Sequence, residues 1–340
     1  MKEILFQFGL SEENFQVLPF GSGLINTTWK IEDKEGNAKY ILQRVNHQIF
    51  KQPDDIAFNI GLIDNYLKDH FPDYLFVSPV VTMAGDEFVK IDDGYYRMFP
   101  FIENSHTIDV VENPEQAYKA AKQFGKFTKL LSGLNAAELK ITLPDFHNLT
   151  LRYRQFEEAL QSGNSGRINQ SGELIAAIKQ NKRVVDEYEI CKEKFRVRVT
   201  HHDTKISNVL FDEKGKDLCV IDLDTVMPGY FISDVGDMMR TYLCPVSEEE
   251  WDFSKIAVRK EFYEAIEDGY LAEMGAELNA SEKKYFRYAG EFMIFMQAVR
   301  FFTDYLNDDV YYGAKYEGHN FVRAGNQITL LKRLQEFISR

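Results

Sequence analysis

Between His201 and Asp224 the chain reads "HHDTKISNVLFDEKGKDLCVIDLD", and its polar residues have the types and spacing for phosphoryl transfer. His201 and Asp203 form H-x-D, Asn208 follows Asp203 by five, and Asp222 and Asp224 form D-x-D. Carboxylates this close in sequence repel one another unless a cation lies among them. A solvated acidic surface and an Asp-rich turn are the plain alternatives; a divalent metal is the one with chemical content. The hard oxygens of Asn208 and Asp222 suit Mg²⁺, which keeps several waters and takes few protein ligands. Asp203 is then available to accept the proton of a hydroxyl attacking a phosphate. Lys205, two residues on, is spaced to reach the transferred group, although a lysine in a loop is often simply solvated.

These residues need elements to hold them. "VLF" and "LCVI" are short β-type runs joined by the turn-prone "DEKGKD". A hairpin of that kind brings Asn208 and Asp222 to the ends of adjacent antiparallel strands. The first hundred residues also read as strands: "GLINTTWKIED", "AKYILQRVN" and "FVSPVVTMAGDEFVKIDDGYYRMFPFIEN". Among them, Ile56, Ile60, Ile63 and Leu67 recur at helical spacing. Beyond about Glu103 the pattern turns helical, with amphipathic segments at 114–134, 150–161, 172–192, 254–274, 281–306 and 325–339. The expectation is an α+β chain with a small β-rich lobe over 1–103 and a larger, mainly helical lobe over 104–340. The carboxylates would sit on a hairpin-like insert facing the cleft.

The 340 residues carry 53 acidic against 40 basic side chains, a net charge of -13, which disfavours a nucleic-acid or anionic-membrane partner. No apolar run approaches a membrane span, and the start, "MKEILFQFGLSEENF", does not resemble a signal peptide. Cys191, Cys219 and Cys244 are odd in number and lack zinc-ligand spacing. A cytoplasmic location is the expectation, and the oligomeric state is left open.

D-x-x-x-x-N alone arises by chance in many proteins; the preceding H-x-D, the flanking strands and the following D-x-D make it specific. "HHDTKISNVLF" and "IDLD" resemble the aminoglycoside phosphotransferase and choline kinase superfamily, which shares the protein-kinase fold. The closer resemblance is to N-acetylhexosamine 1-kinases, through "GSGLINTTW", "YILQRVN", "IDLDTVMPG", "DVGDMMR" and "RFFTDYLNDDVYYGAKYEGHNFVRAGNQI". It implies a protein-kinase-like two-lobed fold with ATP as co-substrate and Mg²⁺ as metal. It further implies Asp203 as base, Asn208 and Asp222 as metal ligands, and His201 as the brace of the catalytic loop.

By the same resemblance Gly21 and Gly23 lie in the nucleotide-covering loop, where small residues let backbone amides approach phosphate. Arg44 falls where related kinases have a basic strand residue that meets the α- and β-phosphates. "MFPFIEN" resembles the hinge, with the backbone of Phe101 and Ile102 meeting adenine. The helix after Arg44 offers Asp54, Asp55 and Asp64 but no obvious glutamate to pair with it, and Leu24 departs from relatives that are polar there.

For the acceptor, the resemblance associates Arg300 with the sugar and puts Tyr311 close by; read as residues alone, Arg300 and Asp304 suggest an intrahelical salt bridge. Asp224 is a third acceptor candidate, with support of the metal shell or bracing of the loop as its other readings. Asp237 reads as a cap or brace. The implied reaction is phosphorylation of the anomeric hydroxyl of N-acetylglucosamine or N-acetylgalactosamine. A kinase of choline, homoserine or an aminoglycoside on the same fold is the alternative, and a nucleotide-binding pseudokinase is the alternative of another class.

Overall fold

The alternating runs that suggest strands, and the three-to-four spacing that suggests helices, resolve into these elements in the computed structural model, which describes residues 1–21 and 25–339. Helix α1 (Lys2–Gln7) precedes β1 (Phe15–Pro19), β2 (Thr27–Asp33), β3 (Ala38–Val45), α2 (Pro53–His70), β4 (Val89–Ile91), β5 (Gly94–Pro100) and β6 (Ser105–His106). Then come α3 (Pro114–Leu130), α4 (Leu149–Ser162), α5 (Ser165–Gln170), α6 (Gly172–Gln180), α7 (Arg183–Lys192) and β7 (Arg198–Thr200). The chain continues with β8 (Val209–Asp212), β9 (Asp217–Val220), β10 (Met227–Gly229), α8 (Phe231–Tyr242), α9 (Lys260–Met274), α10 (Ala280–Lys284), α11 (Tyr288–Leu306) and α12 (His319–Ile338). Among the described residues no helix is long and apolar enough to cross a membrane.

Contacts divide the chain into two units, neither of them continuous. The first comprises Met1–Thr107, Leu130–Pro144 and Asn208–Pro228; the second comprises Ile108–Lys129, Asp145–Ser207 and Gly229–Arg340. A β-rich lobe and a larger, mainly helical lobe are what the sequence implied. The first unit, however, regains two stretches from beyond residue 103.

The first unit is built on a five-stranded antiparallel sheet of order β1-β2-β3-β5-β4. Because side chains alternate across a strand, the sheet has two distinct faces. Ile31, Leu42 and Met98 lie on one, covered by Ile4, Leu5 and Phe8 of the N-terminal segment. "FVSPVVT", read as strand, contributes only an isolated bridge between Val80 and Met98. A second sheet, β6-β8-β9, carries the expected hairpin. The link to the regained stretches is polar. Asn59 of α2, fully buried, donates from Nδ2 to the carbonyls of Lys140 and Val226, both at 2.9 Å, and accepts from Lys140 N–H at 2.7 Å. Each such bond is worth about 1 kcal/mol net, whereas a buried donor left unpaired costs about 1–3 kcal/mol.

In the second unit α11 is buried over most of its length and packs against α4, α8 and α12. Gly236 on α8 permits that approach, since a Cβ there would lie 2.4 Å from the Ala289 carbonyl. The expected helices over 172–192 and 281–306 each divide in two, at Asn181–Lys182 and at Tyr285–Arg287.

Candidate functional site

In the first unit the hairpin register pairs Val209 with Val220, and the Ile221 N–H donates to the Asn208 carbonyl at 2.9 Å. Asn208 therefore starts one strand where Asp222 follows the other, as the hairpin argument required. Asp222 has φ +60 and ψ 65, a left-handed conformation that is strained for most side chains and least so for Asp and Asn. Strain of this kind persists where surrounding contacts enforce it, and it gathers at functional positions. No three His, Cys, Asp or Glu side chains form a metal cage among the described residues. The donors fit an ion that takes few protein ligands: one amide oxygen, one carboxylate, both hard.

Arg44 is engaged within the five-stranded sheet. Its Nη2 lies 2.9 Å from Asp93 Oδ1 in the β4–β5 turn, so its acidic partner is none of Asp54, Asp55 and Asp64. Strand alternation puts Arg44 on the face of Leu42, and its register partner Tyr96 packs against the α1 core. Gln43 and its register partner Arg97 share the opposite face, where Arg97 Nε and Nη2 donate to Gln43 Oε1 at 3.1 and 2.9 Å. Arg97 also pairs with Asp224, Nη2 to Oδ1 at 2.5 Å. Asp224 is 2% exposed and Arg97 4%. Removing one partner of such a buried pair typically costs about 3–5 kcal/mol. Sequence reasoning passed over Arg97; its one signal was a charge inside the apolar run "YYRMFPF".

Gly21 has φ +80, open to glycine at little cost, while Gly23 and Leu24 lie outside the described residues. Phe101 donates its N–H to the Lys39 carbonyl at 2.9 Å, and the Ile102 carbonyl accepts from Ser105 Oγ at 2.6 Å. Phe20, next to Gly21, meets the Phe101 ring edge-on at 6.5 Å.

The second unit holds His201, Asp203, Lys205, Arg300 and Tyr311. His201 is fully buried, its ring edge-on to Phe124 at 5.1 Å. The loop after it is held from α8. Asp234 accepts the backbone N–H groups of His201 (3.2 Å) and His202 (2.8 Å), and Asp237 accepts that of Thr204 (2.9 Å). Asp237 thus braces the loop, as read. Asp234, one helical turn before it, was missed, although its i, i+3 spacing from Asp237 was visible. Burial pushes Asp234 up to about 7, against the lowering effect of the two N–H donors. Asp237 also accepts from Arg240, which bonds Glu248, itself bonded to Arg323.

Lys205 Nζ lies 3.0 Å from Asp203 Oδ1. Burial works against the ammonium, but Asp203 and Asp237 outweigh it and raise the Lys205 pKa.

Arg300 does not pair with Asp304. The Asp304 carboxylate instead accepts the N–H groups of Tyr311 (2.7 Å) and Tyr312 (2.8 Å) and the Asn320 amide (3.2 Å), pinning the loop after α11. Backbone donors that have no helical partner outcompeted a flexible arginine. Arg300 is left beside aromatic rings: Nη2 is 3.4 Å from the Tyr311 hydroxyl, and its guanidinium is 5.7 Å from the Phe146 ring and 5.5 Å from that of Tyr312.

Close to Phe146, Nδ1 of His147 lies 3.3 Å from that of His202. Burial, reinforced by His202, Arg300, Arg240 and Arg152, holds the His147 pKa well below its usual value. As pH falls through about 6.5, the unfolded chain protonates this residue while the folded chain does not, so its stabilising contribution is lost. The difference in thermal midpoint between the wild type and His147→Asn is expected to shrink from about pH 7.5 to about pH 5.5. Scanning calorimetry across that range checks it, and a constant difference would count against it.

Solved structures share this architecture. A microcompartment-associated aminopropanol kinase is 16% identical, with TM-score 0.66 and coverage of 99% of this chain and 96% of that one. An amicoumacin kinase in complex with AMP-PNP, Ca²⁺ and Ami is 16% identical, with TM-score 0.61 over 97% and 91%. A choline kinase from Cryptosporidium parvum Iowa II is 10% identical, with TM-score 0.56 over 97% and 91%. Likeness at these identities shows the fold: the protein-kinase-like two-lobed class, with a small antiparallel-sheet lobe and a mostly helical one. Residues 16–278 match the APH phosphotransferase enzyme family, and the chain belongs to it. It is a phosphotransferase.

Proposed function

We propose that this phosphotransferase moves the γ-phosphoryl group of ATP to the anomeric hydroxyl of an N-acetylhexosamine, giving the sugar 1-phosphate and ADP. The observation that carries the acceptor class is Arg300. Among the described residues it has no carboxylate partner, and it is flanked by Phe146, Tyr311 and Tyr312. Arg152 likewise forms no ion pair among them; its guanidinium bonds Gln155 and the Asp145 carbonyl, and burial and Arg300 lower its pKa. Unpaired guanidinium groups repel a cation such as choline or an aminoglycoside. They suit a neutral ligand rich in carbonyl and hydroxyl oxygens, with rings beside it as apolar walls.

Asp203 accepts the proton of the sugar hydroxyl as that oxygen bonds to phosphorus; the bond from phosphorus to the β–γ bridging oxygen breaks, and ADP leaves. An anomeric hydroxyl is more acidic than an ordinary alcohol, so Asp203 acts largely by orienting it. Lys205 offsets charge on the transferred group. Asn208 and Asp222 would hold Mg²⁺, which when bound would neutralise phosphate charge. The AMP-PNP and Ca²⁺ of the amicoumacin kinase complex support a nucleotide with a divalent ion. Gly21 would lie beside the phosphates, and the Phe101 carbonyl and Ile102 N–H would meet adenine. Arg97, 4% exposed and bonded to Gln43 and Asp224, supports this arrangement from within the sheet. The protein is assigned to the cytoplasm.

The test is ADP release with magnesium–ATP against N-acetylglucosamine, N-acetylgalactosamine, glucose, galactose, choline, homoserine and kanamycin, with phosphorus NMR of the product. Turnover confined to the N-acetylhexosamines, with an anomeric phosphate, is expected. Turnover only on choline or kanamycin would sink the acceptor reading, and nucleotide binding without any turnover would favour a pseudokinase.

A further inference from the structure

Asp224 stands two residues after Asp222, in the short turn Leu223–Thr225. Its two oxygens are committed in different directions. Oδ1 meets Arg97 of β5 at 2.5 Å, and Oδ2 accepts from Asn26 Nδ2 at 2.8 Å. Asn26 immediately precedes β2, at the exit from "GSGLINTT", and its Oδ1 accepts the Asn46 N–H at the end of β3, 3.0 Å away. Arg97 is tied in turn to Gln43 of β3. One buried carboxylate therefore joins the turn after Asp222 to β5 directly, to the residue before β2 directly, and through both to β3.

Asp222, left-handed at the entry to that turn, keeps its conformation through the contacts around it. Asp224 supplies such contacts two residues away. At 2% exposure, with Oδ1 in the ion pair with Arg97 and Oδ2 bonded to Asn26, the carboxylate is buried against these two partners rather than open to a ligand. We propose that Asp224, Arg97 and Asn26 act as a clamp that positions Asp222 for the metal–nucleotide complex and ties that position to the sheet, without contacting the acceptor. All three are positioning residues, and the inference rests on the reading of Asp222 as a metal ligand.

Partners that orient metal ligands typically change metal affinity by about 10–100-fold when removed. ADP binding to Asp224→Asn, followed by titration calorimetry over a magnesium series, is expected to need at least about tenfold more magnesium for half-saturation. The KM for the acceptor sugar should stay within about twofold. Should Asp224→Asn fail to fold, the double variant Arg97→Met/Asp224→Leu removes both charges and carries the same expectation. An unchanged magnesium requirement in a folded variant would overturn the clamp while leaving Asp222 its role. A raised acceptor KM with unaltered magnesium dependence would overturn it too, and return Asp224 to the sugar. Wild-type protein that binds ADP equally well with and without magnesium would remove the metal reading, and the clamp with it.

Discussion

Asp203→Asn is expected to lower turnover by about 10²–10⁴ or more, the usual size of a lost general base. The change is isosteric, and the loop backbone is held by Asp234 and Asp237 of α8, so the loop should keep its shape. What is lost is the acceptor for the sugar proton and the partner of Lys205, whose pKa should move down toward its ordinary value once the charge 3.0 Å away is gone. ADP affinity should be nearly unchanged, because Asp203 is assigned to the acceptor hydroxyl and not to the nucleotide or the metal. Single-turnover phosphoryl transfer and equilibrium ADP binding, measured on the same preparation, separate these effects. Turnover close to wild type would remove Asp203 from the mechanism.

Asp222→Asn should act on the metal instead. Asparagine tolerates the left-handed backbone about as well as aspartate, so the substitution changes the charge of the ligand without adding strain at φ +60. Asp222→Ala would confound the two. The magnesium needed for half-maximal ADP binding should rise by about tenfold or more, since even removing a partner of a ligand has effects of that size. Turnover should recover in part at high magnesium, because a weakened site still fills by mass action. Tight ADP binding with an unaltered magnesium requirement would take Asp222 out of the metal site.

Some of the fold was legible because the pattern is local. The hairpin over Val209–Val220 shows two β-type runs and a polar turn, and α2 shows one apolar stripe behind a proline. Helix α8 was overlooked although Asp234, Asp237 and Arg240 recur at helical spacing, because that polar stripe is largely buried and spent on holding the loop after His201 rather than facing solvent. The breaks at Asn181–Lys182 and Tyr285–Arg287 were hidden because short helices in register continue one another's apolar pattern.

The sequence by itself determined the chemistry on offer. The H-x-D, the asparagine five residues on and the D-x-D after a hairpin are short-range features, and a hairpin converts their spacing into position almost unaided. Only the tertiary structure decided which cation faces which way. Alternation says that Arg44 and Gln43 point to opposite sides of β3, but not which side is covered by α1, since that depends on residues near the N-terminus packing on Leu42 and Met98. The partners of Asp224 were equally out of reach. Asn26 lies 198 residues away and Arg97 on a different strand, and no local propensity encodes a contact made by closing so long a loop.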